Sequence, residues 1–155
     1  MRSEMKHDQH YIRFAIMVLL SFCSMYAFMY AMVNVFGNVY PNLNQAYMAG
    51  LMAAPMAVFE LVLMGSMYPN KRLNIGIIAV SVIALALFWV GIRQQAAISD
   101  RQFLRSMIPH HAGAILMCEQ ASISDPEIKK LCSNIILGQQ AEIDQMKTIL
   151  QRLNK

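Results

Sequence analysis

The residues best suited to chemistry lie in the segment MIPHHAGAILM, which runs from Met107 to Met117. Two histidines and two methionines within this segment offer imidazole nitrogen and thioether sulfur as metal ligands. On a helix, Met107, His110 and Met117 share one stripe, whereas His110 and His111 point about 100° apart. We therefore expect one histidine to bind an ion directly. The other is then free for a second site, a facing subunit or an outer carboxylate.

The segment that follows Asp125 supplies two further donors, Glu142 and Met146. If two helices run antiparallel about a turn at Asp125, Met146 can approach Met107 and Glu142 can approach a histidine. Thioether and imidazole ligands suit Cu(I), with Ag(I) or Cu(II) as further possibilities. Calcium and magnesium are disfavoured because they need many oxygen ligands. The alternative is that the histidine pair is polar surface at a subunit contact.

Two amphipathic helices must position these donors. Across residues 97–155 apolar side chains recur at helical spacing on both sides of Asp125 and Pro126, which suit the cap and first position of a helix. The pattern predicts a two-helix hairpin. Two helices alone make a marginal core, so we expect either a four-helix bundle built from two copies or packing of the hairpin on its own membrane domain.

Cysteine placement leaves the redox state of the hairpin open. Cys118 and Cys132 lie six or seven residues on either side of the turn and are nearly level. A disulfide would close a 15-residue loop and contribute about 3 kcal/mol. Two buried thiols, or a soft-metal ligand at Cys118, are the alternatives. Cys23 lies in an apolar stretch and is expected to be buried.

The chain as a whole has the composition of a membrane protein. Of its 155 residues 57% are apolar and 14% are charged, against about 25% charged in soluble domains. Three apolar stretches reach the length of about 20 residues that crosses a bilayer, at residues 12–35, 45–68 and 74–92. We expect residues 1–11 to form a cytoplasmic tail and residues 12–95 a three-span domain. The net charge of +4 forms no stripe suited to nucleic acid.

Basic residues predict the orientation of the spans, because cytoplasmic loops are enriched in lysine and arginine. Lys71 and Arg72 lie between the second and third spans, whereas residues 37–44 contain no basic residue. The N-terminal segment carries Arg2, Lys6 and Arg13. The N-terminus is therefore expected in the cytoplasm. Three crossings then place residues 97–155 outside it, in the periplasm if the membrane is a bacterial plasma (inner) membrane.

Two features of the spans have both a functional and a structural interpretation. Glu60 is an ionisable residue inside the second span, and such groups are often functional. Otherwise it is a protonated or arginine-paired carboxyl that orients the helices. Methionines form two helical stripes that suit a soft cation but are also ordinary packing. The stripes are Met25, Met29 and Met32, then Met48, Met52 and Met56.

The stretches DRQFLRSMIPHHAGAILMCEQA and IILGQQAEIDQMKTIL resemble the domain of unknown function 305 over the C-terminal third of the chain. The resemblance implies a ferritin-like helical domain exported from the cytoplasm, with some members associated with periplasmic copper. It carries over Glu142 as ligand or outer partner, together with the ligands Met107, His110, His111, Met117 and Met146. Longer relatives carry two helical hairpins where this chain has one, which again favours a homo-oligomer.

These observations predict an all-α membrane protein with three transmembrane helices and an exported hairpin. The hairpin would be a ferritin-like half-bundle completed by dimerisation. The leading function is binding of copper or a similar soft ion for storage, delivery or resistance, with the metal ion, the lipid bilayer and a second copy as partners. The alternative is a non-metal interaction or sensory protein whose hairpin dimerises. The sequence shows neither a nucleophile–base pair nor a phosphate loop of the kind that would indicate an enzyme. No catalytic residue is therefore assigned.

Overall fold

The computed structural model describes the backbone of residues 2–154 and the side chains of residues 9–154, and within them the fold is helical without strands. The five α-helices are α1 (Arg2–Phe28), α2 (Leu43–Leu63), α3 (Lys71–Arg93), α4 (Asp100–Gln120) and α5 (Pro126–Leu153). Short 3-10 helices follow α1 and α2. The predicted all-α class is confirmed. The chain forms two compact units.

The first unit, here the membrane unit, contains α1, α3 and α2 from residue 46 onward. Three segments are long and apolar enough to cross a membrane, namely Gln9–Met32, Leu43–Leu63 and Lys71–Arg93. Three spans were expected, but their bounds differ. Helix α1 already begins at Arg2 and ends at Phe28, and α2 ends at Leu63, before the Tyr68–Pro69 pair that was expected to end it. Cys23 is exposed on α1 and not buried.

Tyr68 packs in a small core within the membrane unit and binds the Glu60 carboxylate. Phe14, Ala57, Leu61 and Tyr68 form a buried cluster. The Tyr68 hydroxyl donates a hydrogen bond to Oε1 of Glu60 over 3.0 Å, so the carboxyl partner is a phenol and not an arginine. Burial raises the pKa of Tyr68, which lies between the second and third spans, to about 12, and the hydrogen bond and the charge of Glu60 act in the same direction.

A glycine of α2 makes room for an aromatic ring of α3 in the membrane unit. Ala49, Gly50, Ala53 and Ala54 are buried along α2. A Cβ atom at Gly50 would lie 2.5 Å from the Phe88 ring on α3, so only glycine leaves room for that ring.

The second unit, here the hairpin unit, combines α4 and α5 with residues 29–45. The link from α1 to α2 is therefore part of this unit and packs on α4. Asn42 Nδ2 donates to the carbonyls of Tyr40 at 2.9 Å and Arg105 at 3.4 Å. Gln102 Oε1 accepts from the backbone N–H of Leu43 at 3.0 Å. These bonds satisfy backbone groups of the link and, at Arg105, a carbonyl of α4.

Helices α4 and α5 form an antiparallel hairpin. Asp125 caps α5 by accepting from the backbone N–H of Glu127 and Ile128 at 2.8 and 3.0 Å, and Pro126 takes the first helical position, as predicted. The shared core consists of Leu104, Ile108, Ala112, Ile115, Ile143 and Leu150. Cys118 and Cys132 form a disulfide with Cα atoms 5.2 Å apart, which resolves the three alternatives left open by the sequence.

Candidate metal centre

The faces of α4 follow from the positions of its buried residues. Ile108, Ala112 and Ile115 are buried toward α5. Gly113 faces the link, because a Cβ atom there would lie 3.5 Å from the carbonyl oxygen of Met32. His111 lies on the opposite flank of the buried stripe, by helical spacing. The sequence thus divides α4 into a core stripe, a flank covered by the link and a flank that carries His111.

His111 meets Glu142 across the hairpin. Its Nε2 atom lies 2.8 Å from Oε2 of Glu142, and its Nδ1 atom lies 3.0 Å from the carbonyl oxygen of Met107. The His111 side chain is only 12% exposed, whereas that of Glu142 is 57% exposed. Glu142 therefore reaches a histidine, as the antiparallel register predicted, and the pair lies where the buried seam opens to solvent.

The two hydrogen bonds of His111 fix where its protons lie. A carbonyl oxygen can only accept, so Nδ1 carries a proton and donates it to Met107. When the imidazole is protonated, a second proton lies between Nε2 and Glu142 in the 2.8 Å contact. A metal ion can replace that second proton, because nitrogen and oxygen ligands bind a cation such as zinc at about 2.0–2.2 Å. Backbone fixation of the other ring nitrogen is typical of metal-binding histidines.

Met107 and Met146 lie one helical turn from this pair. Met107 precedes His111 by four residues and Met146 follows Glu142 by four residues, so the register that joins His111 to Glu142 brings the two methionines level. Both are half-buried, and Met146 packs on the hairpin core. The seam of the hairpin thus carries one imidazole, one carboxylate and two thioethers.

The remaining two predicted ligands lie elsewhere on α4. His110 and Met117 are exposed, and the His110 and His111 ring centroids are 6.1 Å apart. The divergence of the two histidines expected from helical geometry is therefore present. Of the six predicted site residues, two are in contact across the seam, two lie level with each other one turn away, and two face outward. Among the described residues, no three histidine, cysteine, aspartate or glutamate side chains come together. The disulfide removes Cys118 as a thiolate ligand.

Reasoning from sequence missed a second group of sulfur donors, in the membrane unit. Met17, Met56 and Met64 line a cavity together with Glu60. A signal was available, because Met56 and Met64 lie four residues before and after Glu60 and thus on one face of the predicted span 45–68. The expected stripe of Met25, Met29 and Met32 is interrupted, since α1 ends at Phe28 and a 3-10 helix follows.

Comparison with known proteins places the hairpin in a family. The domain of unknown function DUF305 matches residues 92–153, which include α4 and α5. Over 110 residues the chain is 40% identical to the protein named Uncharacterized protein L153 of Acanthamoeba polyphaga mimivirus, and the match covers 70% of each chain. That alignment is longer than the whole hairpin unit, so it includes part of the membrane unit. No solved structure matches the chain. The chain therefore belongs to the family of proteins with a DUF305 domain.

Proposed function

We propose that the hairpin binds copper or a similar soft metal ion at the seam between α4 and α5. The observation that carries the proposal is the 2.8 Å approach of His111 Nε2 to Glu142 Oε2, with Met107 and Met146 level one turn away. A mixed set of imidazole, thioether and carboxylate suits Cu(I) and Ag(I), and Cu(II) through nitrogen and oxygen. Storage, delivery or resistance would follow from reversible binding at a partly open site.

Binding at this site exchanges a proton for a metal ion. A proton held between His111 and Glu142 must leave when the metal takes its place. Uptake is therefore expected to release protons and to weaken as the pH falls. The half-exposed Glu142 carboxylate gives the ion a path to solvent, while the buried side of His111 keeps the ring in place.

We further propose that the hairpin unit lies outside the cytoplasm of a cell whose plasma membrane the three helices cross. Three crossings put the link between the first two spans on the same side as the C-terminal segment, and the packing of residues 29–45 on α4 supports that arrangement. The positive-inside rule favours a hairpin unit outside the cytoplasm, and the Cys118–Cys132 disulfide favours an oxidising compartment.

Alkylation of intact cells without reductant is expected to leave Cys118 and Cys132 unlabelled. Labelling of both would contradict the export.

We propose that a second copy of the chain packs on the exposed apolar face of the hairpin, which we call its open face. Residues 29–45 cover one side of α4, whereas apolar residues remain exposed elsewhere on the hairpin, namely Phe103, Met117, Ile128 and Leu131. Two hairpins joined by such faces make a ferritin-like four-helix bundle. His110 and Met117, which face outward in one chain, would then be available to the site of the other.

The test is a titration of the full-length protein in detergent micelles with Ag(I), a stable mimic of Cu(I). Ag(I) needs no reductant, so the disulfide stays closed. All proteins carry Cys23→Ser, because the exposed thiol of Cys23 would itself bind silver. His111→Gln and Glu142→Gln are each expected to weaken binding at this site by about 10- to 100-fold. Ring signals of His111 in NMR spectra should shift on addition of the metal.

Two matched variants control for the loss of a histidine or a carboxylate elsewhere. His10→Gln lies on α1 and Glu119→Gln lies on the exposed side of α4, and neither should change Ag(I) binding. If His111→Gln and Glu142→Gln bind Ag(I) as the controls do, metal binding at the seam is refuted. The contact would then be a structural ion pair in a hairpin whose role is dimerisation or sensing.

A further inference from the structure

A second group of soft donors lines a cavity of about 350 Å³ within the membrane unit. Met17 on α1, Met56 on α2 and Met64, which follows the last residue of α2, all line this cavity, and Glu60 of α2 lines it with them. The remaining wall is formed by Phe59 and Leu63. Three thioethers and one carboxylate thus share one space, which is separate from the seam of the hairpin.

The Glu60 carboxylate is held in a defined orientation. Its Oε1 atom accepts a hydrogen bond from the Tyr68 hydroxyl at 3.0 Å, and Tyr68 is itself only 4% exposed. Its Oε2 atom makes no hydrogen bond or ion pair with the described side chains. One oxygen is therefore positioned by a hydrogen bond, in a side chain that also lines the cavity.

The chemistry of this cavity selects a particular class of ion. Thioethers are neutral, soft ligands that favour Cu(I) and Ag(I) over hard cations. A monovalent cation would leave one positive charge in an apolar region, and a single carboxylate cancels that charge. Three sulfurs with one carboxylate therefore match a monovalent soft ion better than a divalent one. Packing alone would not require an ionisable residue among the methionines.

We propose that Met17, Met56, Met64 and Glu60 form a second binding site, within the membrane unit, for a monovalent soft metal ion. The site goes beyond the proposed hairpin function and does not depend on it. Tyr68 acts as a positioning residue that orients the carboxylate. The stripe of Met48, Met52 and Met56 contributes only Met56, because Met48 and Met52 lie outside the cavity lining.

The experiment is an Ag(I) titration of the full-length protein in nanodiscs, with stoichiometry measured by calorimetry and sulfur coordination by X-ray absorption. All proteins carry Cys23→Ser and His111→Gln, which weakens the hairpin site. The combined Met56→Leu and Met64→Leu variant is expected to lose one equivalent of bound Ag(I), with its silver–sulfur signal. Leucine conserves volume well enough to keep the fold. Glu60→Gln and Tyr68→Phe should weaken this equivalent by about tenfold or more.

The matched control replaces two methionines of α2 that do not line the cavity, Met48→Leu with Met52→Leu. This variant should keep the equivalent and its coordination signal. Equal stoichiometry and affinity in the two double variants would overturn the proposal. Loss of the equivalent in both would also overturn it, because binding would then follow total methionine content. Since His111 is replaced throughout, failure here leaves the hairpin proposal standing, and failure at the hairpin leaves this one standing.

Discussion

At the scale of single residues, the two carboxylates Glu60 and Glu142 have partners of opposite character. Glu60 accepts from the neutral phenol of Tyr68, whereas Glu142 meets an imidazole that can carry a full positive charge. The phenol orients its carboxylate without cancelling the charge. A protonated imidazole can cancel the charge of Glu142, so a metal ion at Glu142 competes with that proton. At Glu60 the hydrogen-bond partner is neutral, so a metal ion there has no cation of the protein to displace.

Tyr68 should show this environment in its titration. Its folded pKa of about 12 lies above the ordinary 10.0, so its contribution to the free energy of unfolding is complete below pH 10 and is lost as the pH rises from 10 to about 12. In tyrosinate absorbance titrations, Tyr68→Phe should remove a component near pH 12, whereas Tyr47→Phe should leave it. Loss of a component near pH 10 in Tyr68→Phe would contradict this environment.

At the scale of elements, the contact between α2 and α3 depends on one missing side chain. The Phe88 ring occupies the space that a Cβ atom at Gly50 would need. Gly76, in α3, has open space around it, since nothing lies within 4 Å of a Cβ atom there. The two glycines therefore separate the effect of packing from the general effect of adding a methyl group to a helix.

Gly50→Ala is expected to destabilise the membrane unit by about 1–3 kcal/mol, because either the Phe88 ring or the helices must move. Gly76→Ala should be neutral or stabilising, since alanine favours the helix over glycine. Thermal unfolding in detergent measures both. In a Phe88→Ala background, Gly50→Ala should lower the free energy of unfolding by a smaller amount. An equal cost with and without the ring would show that the ring is not the obstacle.

At the scale of the whole molecule, the open face of the hairpin predicts association. Leu131→Glu puts a charge on the α5 flank that also carries Glu142, and it should convert a dimer into a monomer in sedimentation experiments on the full chain. Leu137→Glu is the matched control. It is 73% exposed and lies about 120° around the helix from Leu131, so it should not alter the association state. A wild-type monomer at high concentration would end the bundle hypothesis.

Much of the fold could be predicted because local signals were strong. Asp125 and Pro126 mark the start of α5, hydropathy marks three spans, and antiparallel register brings Glu142 to a histidine. Which histidine it reaches required the structure, since one residue along α4 changes the direction by about 100°. The end of α2 at Leu63 and the cavity around Glu60 also required it, because tertiary packing determines both and short-range pattern does not.

The packing of residues 29–45 on α4 has a practical consequence for anyone who excises the DUF305 domain. The matched region, residues 92–153, is continuous in sequence, but its folding unit is not, because Val33 and Tyr40 complete the core around Ile108. In a fragment that starts near residue 92, the side of α4 that residues 29–45 cover would be exposed to water. An autonomous version of the domain should therefore include residues 29–45. Without them, the hairpin lacks part of its own hydrophobic core.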